Sequence, residues 1–191
     1  MEPVNNIHLS PEEAQAALNE AGKQKERANN IYNVFNGTIF IIWGSIYIIA
    51  NTIEYFQPKA DIIWLPLVLI GFILSFWFGS RVGSFLRSST GRVYRGIWIG
   101  FGLVYFLLGW GFTTANAPDQ LFSFVVNLFV AYALVANAIA AQQPALARAG
   151  ALLAVVNTIF FTMAPSWYYL AMAVVGLLAV VTGSGMIKSE I

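Results

Sequence analysis

The chain has 191 residues, of which 58% are hydrophobic and 10% charged, with a net charge of +1. Soluble domains carry about 45–50% apolar and about 25% charged residues, so this composition excludes a disordered chain, a nucleic-acid binder and a disulfide-stapled secreted module, and makes lipid the main solvent. There is no cysteine, which removes disulfides, thiolate metal sites, cysteine nucleophiles and S-acylation together.

Residues 1–33 are polar and place no apolar run where a cleavable signal peptide needs one. Ser10-Pro11-Glu12-Glu13 reads as a capping box with proline at the first helical position. Acidic Glu12, Glu13 and Glu20 precede basic Lys23, Lys25 and Arg27, the order that a helix dipole favours. The sequence therefore predicts a cytoplasmic leader over 1–33, helical from about residue 11 and running on toward the first apolar segment.

A hydrocarbon core of about 30 Å needs about 20 mostly apolar residues per helix. Six segments qualify, over 34–56, 62–80, 96–114, 120–141, 147–164 and 167–187. Their near-continuous apolar runs, such as Ile62 to Ile70, lack the alternation of a membrane barrel. With the N-terminus inside, nine of the ten basic residues fall on the inner side and only Lys59 outside, as the positive-inside rule requires. The fold expected is an all-α polytopic membrane protein of six transmembrane helices in three antiparallel hairpins, with a short cytoplasmic tail over 188–191. Trp43-Gly44-Ser45-Ile46-Tyr47 and Phe101-Gly102-Leu103-Val104-Tyr105 suggest a weak internal repeat.

Polar side chains within the spans are the candidate site. Ser123, Asn127 and Asn137 lie on one side of the fourth span, Asn157 and Thr158 mark the fifth, and Asn51 and Glu54 mark the outer part of the first. Two readings stay open: a polar lining that converges on a cavity, or hydrogen bonds that join helices. Glu54 in particular is either an ion or proton site at the outer mouth or a wet carboxylate at the interface. Gly37 and Gly44, Gly102 and Gly109, and Gly176 and Gly183 recur at seven-residue spacing, and Gly96 and Gly100 form GxxxG. These mark close helix packing or a dimer face. Arg81, Arg87, Arg92 and Arg95 fall between the second and third spans, where they set topology and can meet anionic headgroups. Trp64, Trp110, Trp167, Tyr168 and Tyr169 are expected in an outer interfacial belt.

Catalytic sets are missing from the sequence. The one histidine, His8, lies in the leader, and there is no HExxH or GxSxG. No metal or cofactor is expected. The start Pro11-Glu12-Glu13-Ala14-Gln15-Ala16-Ala17-Leu18, followed by Ile42-Trp43-Gly44, resembles a group of bacterial six-span membrane proteins of about this length that open with such a helix. That likeness implies layout and brings no activity. In layout alone the chain is also similar to HdeD-like acid-stress proteins. The function expected is that of a non-enzymatic bacterial inner-membrane protein with both termini cytoplasmic: partner-binding, regulatory or stress-associated, and able to self-associate. A small-solute or ion carrier with a polar lining on spans one, four and five is the second reading. Membrane lipids, a second copy or another membrane protein are the expected partners, with no nucleic acid.

Overall fold

In a computed structural model of the chain, residues 10–57, 63–81, 89–115, 118–141 and 143–188 are described. Those residues form α1 (Pro11–Phe56), α2 (Trp64–Arg81), α3 (Ser89–Thr114), α4 (Asp119–Ala141), α5 (Pro144–Met163) and α6 (Tyr168–Lys188), with a 3-10 turn at Pro165–Trp167 before α6. The expectations for His8, Lys59 and Arg87 fall outside the described residues. Among the described residues no strand occurs, and five helices are long and apolar enough to cross a membrane: α1, the Arg95–Thr114 part of α3, α4 over Asp119–Ala140, α5, and Pro165–Lys188. The apolar part of α2, Trp64–Gly79, is shorter; at 1.5 Å per residue it covers about 24 Å of a core about 30 Å thick.

α1 is one unbroken helix of 46 residues, about 69 Å long. Its start is fixed by both halves of the capping box: the Ser10 hydroxyl accepts from the Glu13 N–H at 3.2 Å, and the Ser10 N–H donates to the Glu13 carboxylate at 2.8 Å. The Ser10 N–H first, and the Ser10 hydroxyl second, hold the Glu13 carboxyl below its usual range. No proline interrupts the run before Pro58. The first half is exposed almost all round, and burial begins at Tyr32, Phe35 and Asn36. A single helix thus changes environment along its length because its apolar residues begin there.

Sequential helices touch, α1 on α2, α3 on α4 and α5 on α6, but the two largest interfaces are α1 with α6 and α4 with α5. Glycine decides the first of these. A Cβ built on Gly37 would lie 2.7 Å from the Gly183 carbonyl oxygen, and one on Gly44 would lie 2.6 Å from that of Gly176. The two helices therefore meet backbone to backbone, antiparallel, at two points one heptad apart. Gly150 of α5 does the same against the Ala131 carbonyl of α4, at 2.7 Å. Gly102 and Gly109 make only ordinary contacts, with the Phe72 and Phe122 rings. Gly96 and Gly100 have nothing within 4 Å, so the GxxxG packs no helix of its own bundle, a correction to its reading as internal packing. α3 presents that stripe outward together with exposed Leu103, Leu107 and Trp110. Phe76, Ile139 and Val181 are likewise exposed on other helices, an exterior suited to acyl chains and costly in water.

Candidate functional site

The candidate site lies in the middle of the bundle and is built by residues from all six helices. Its polar level is a directed series of hydrogen bonds that runs from half-buried Tyr47 to buried asparagine and tyrosine side chains. The Tyr47 hydroxyl of α1 donates to Asn127 Oδ1 of α4. Asn127 Nδ2 donates to the Tyr168 hydroxyl of α6 at 3.0 Å, and that hydroxyl donates to Asn157 Oδ1 of α5 at 2.7 Å. Asn157 Nδ2 ends the series on the Phe124 carbonyl at 3.0 Å. Asn127 Nδ2 also lies 3.3 Å from Asn157 Oδ1. Each amide spends both its ends on neighbours, which is what a polar group withdrawn from water and lipid requires. Four helices are thereby fixed at one level.

Tyr168 and Asn157 are both 0% exposed. For Tyr168 this corrects the interfacial-belt expectation. The tyrosine opens α6, but the turn at Pro165–Trp167 directs its ring inward onto Phe161, while Trp167 and Trp110 face out. Thr158, next to Asn157, is exposed and bonds back to the Ala154 carbonyl at 2.8 Å. It is not part of the cavity lining, because one helical step of about 100° turns it away from the face that Asn157 presents. Asn51 is buried and bonds to the Tyr47 carbonyl one turn back, at 2.8 Å. Glu54 is 2% exposed, so the wet-interface reading of that carboxylate gives way to a buried one.

Beside the series lies a cavity of about 260 Å³. Of the residues expected to line it, Ser123, Asn127 and Asn137 do; Asn51, Glu54, Asn157 and Thr158 do not. Most of the wall is apolar or aromatic: Ile39, Phe40, Trp43, Val68, Phe101 and Val130 are representative. Trp43, Gly44 and Tyr47 of α1 and Phe101 and Tyr105 of α3 all reach the cavity. Trp43 is held by its indole N–H on the Ser75 hydroxyl at 3.1 Å and by the edge of Phe72.

Because α1 and α4 run antiparallel through the chain of packed neighbours, stepping away from the Tyr47–Asn127 contact leads to Asn36 on one and Asn137 on the other. Both line the cavity and both are buried. Asn127 and Asn137 are ten residues apart, about 15 Å along the helix. The cavity is thus an apolar space with asparagines at two levels. Sequence reasoning missed Asn36, Tyr47 and Tyr168. Asn36 follows Tyr32 by one turn and Tyr47 precedes Asn51 by one turn, spacings that place each pair on one helix face.

Arg81, Arg92 and Arg95 are exposed at the adjoining ends of α2 and α3, and the Arg81 guanidinium sits 4.0 Å over the Trp77 ring. Among the described residues no group of three or more His, Asp or Glu side chains gathers as a metal site would. Comparison with protein-family models, curated proteins and solved structures gives no match.

Proposed function

We propose that the chain is a non-enzymatic integral membrane protein of six spans that binds a small lipophilic molecule inside its helix bundle. The observation that carries this reading is the cavity of about 260 Å³ between the helices, apolar in its middle and bounded by a few buried polar groups. That pattern of apolar wall with sparse orienting groups is typical of small-molecule pockets. An ion or polar-solute pathway has less support. The amides of Asn127 and Asn157 are taken up by the Tyr47–Asn127–Tyr168–Asn157 series, so they are not free to replace the hydration shell of a solute.

For the topology, α2 is the sixth span, with both chain ends cytoplasmic and the protein in a bacterial inner membrane. The nine-to-one distribution of basic residues supports it, as does the apolar surface of α2 at Leu69, Ile73 and Phe76. Exposed Arg81, Arg92 and Arg95 then face anionic headgroups on the cytoplasmic side. Because the chain has no cysteine, single introduced cysteines report sidedness cleanly. Arg92→Cys and Lys188→Cys should label only from the cytoplasm, and Ser166→Cys only from outside.

Binding is tested by titrating 1-bromododecane into the purified protein in nanodiscs and following tryptophan fluorescence, since Trp43, Trp64 and Trp98 line the cavity. Saturable quenching that Val130→Phe weakens supports the reading; purely linear, partition-like quenching, identical in the variant, overturns it.

A second reading, self-association, is favoured by one observation: the Gly96–Gly100 face of α3 has open space above it, the arrangement that lets a second helix approach closely.

A further inference from the structure

We infer that the cavity selects an elongated lipophilic molecule carrying a hydrogen-bond donor, a hydroxyl or an N–H, at the end that it sets against Asn137. This rests on the binding reading above and adds to it the polarity and direction of the bound molecule.

Asn137 is 1% exposed and lines the cavity wall. Its Nδ2 donates to the Ala133 carbonyl one turn back at 2.7 Å, while its Oδ1 is buried with no partner among the described residues. The orientation of this amide is not interchangeable. A backbone carbonyl only accepts, so turning the amide over would set two oxygens face to face and forfeit the one bond it makes. The unmet atom is therefore an acceptor. A buried carbonyl without a partner is destabilising, and the group that relieves it must be a donor.

The other level of the cavity has the opposite need. Trp64 lines the wall with its ring against the edge of Tyr47, and its indole N–H is buried without a partner among the described residues. Trp43, by comparison, has its N–H satisfied by Ser75. Most of the rest of the wall is apolar or aromatic, as at Phe40, Val68, Phe101, Val130 and Leu134, with Asn36, Ser123 and Asn127 among its few amide or hydroxyl groups. Trp64 touches Tyr47, the partner of Asn127, and Asn127 stands about 15 Å from Asn137 along α4, a span that suits a medium-length alkyl chain rather than a compact ring. A donor head at Asn137, an apolar body and a terminus able to meet an indole N–H complete the match.

The test compares three probes in nanodiscs: 12-bromododecan-1-ol, its methyl ether, and 1-bromododecane. The protein carries Trp77→Phe, Trp110→Phe and Trp167→Phe, which remove the exposed indoles and leave those of the cavity. The alcohol should saturate the quenching at a concentration about three- to tenfold below the ether, the range expected of one neutral hydrogen bond. Asn137→Leu, close in volume, should erase that preference, so that alcohol and ether saturate alike. If alcohol and ether saturate alike in the parent protein, the inference fails while cavity binding stands; that comparison does not depend on the folding of Asn137→Leu. If Asn137→Leu keeps the alcohol preference, the inference fails as well. If none of the three probes saturates, the binding reading fails with it.

Discussion

Gly44 and Gly176 face each other so closely that a Cβ on Gly176 would lie 2.7 Å from the Gly44 carbonyl oxygen, matching the 2.6 Å approach from the other side. Neither helix can withdraw without opening the Gly37–Gly183 contact one heptad away. Gly44→Ala or Gly176→Ala should therefore lower stability, by about 1–3 kcal/mol as for other overpacked sites. The contrasting change is Gly22→Ala, in the exposed half of α1 with nothing within 4 Å. It should stabilise by about 0.5–1 kcal/mol through lost backbone freedom in the unfolded chain. Thermal unfolding in one detergent, read by circular dichroism, separates the two signs.

The outward glycines predict the reverse. Gly100 is exposed, and a Cβ there meets nothing within 4 Å, so in Gly100→Leu the melting temperature should stay within a degree or two of the parent, as for surface changes of about 0.5 kcal/mol or less. Self-association through that face should fall severalfold. Single-molecule photobleaching in dilute liposomes counts copies per spot. An unchanged dimer fraction in Gly100→Leu, or a parent that is monomeric throughout, removes the self-association reading.

At the other end of α1 the capping box ties helix order to pH. The Ser10 backbone N–H and hydroxyl hold the Glu13 carboxyl below its ordinary value of 4.5. The ionised form is thus favoured in the helix relative to the unfolded segment. The stabilisation is fully present above pH 4.5 and is lost as pH falls through the lower folded value. Amide hydrogen exchange of the first turn should accelerate over that acid window, after correction for intrinsic rates. Glu13→Gln should flatten the dependence, because its amide is uncharged at every pH.

The helices were legible because apolar run length reports directly on what crosses a hydrocarbon core. The apolar runs over 120–141 and 167–187 correspond to α4 and α6 within a few residues. Partners were not legible. Gly37 and Gly44 announce close contact, yet nothing in the spacing says that the neighbour is α6 and not the next helix in the chain, since glycines at the same interval recur in 102–109. Position along a helix also misled where a turn intervenes. Tyr168 stands near a helix end like Trp167, but one residue turns it from the outer surface to the core. Of the polar residues, Ser123, Asn127 and Asn137 share a side of one helix, and that alone brought them together on the cavity wall. Asn157 and Thr158 are adjacent and so had to diverge. Tyr47 and Tyr168 escaped notice as site residues because a tyrosine in an apolar run reads as bulk until its hydroxyl has a partner.

That hydroxyl partnership gives the last prediction. Removing Asn157 leaves the Tyr168 hydroxyl without its acceptor at 2.7 Å and frees the Phe124 carbonyl. Asn157→Leu should cost about 1–3 kcal/mol, the range for orphaned buried polar groups, and more than the average of about 0.6 kcal/mol for a hydrogen bond between membrane helices. Tyr168→Phe removes the donor to Asn157 and the acceptor for Asn127, and should cost a comparable amount. Since the two side chains belong to one series, the double variant Asn157→Leu with Tyr168→Phe should lose less than the two single losses combined, by about 0.5 kcal/mol or more. Urea unfolding of all four proteins in the same micelles measures the coupling. Strictly additive losses would mean that Tyr47, Asn127, Tyr168 and Asn157 act as separate contacts, and the level they define across α1, α4, α5 and α6 would then not be a unit.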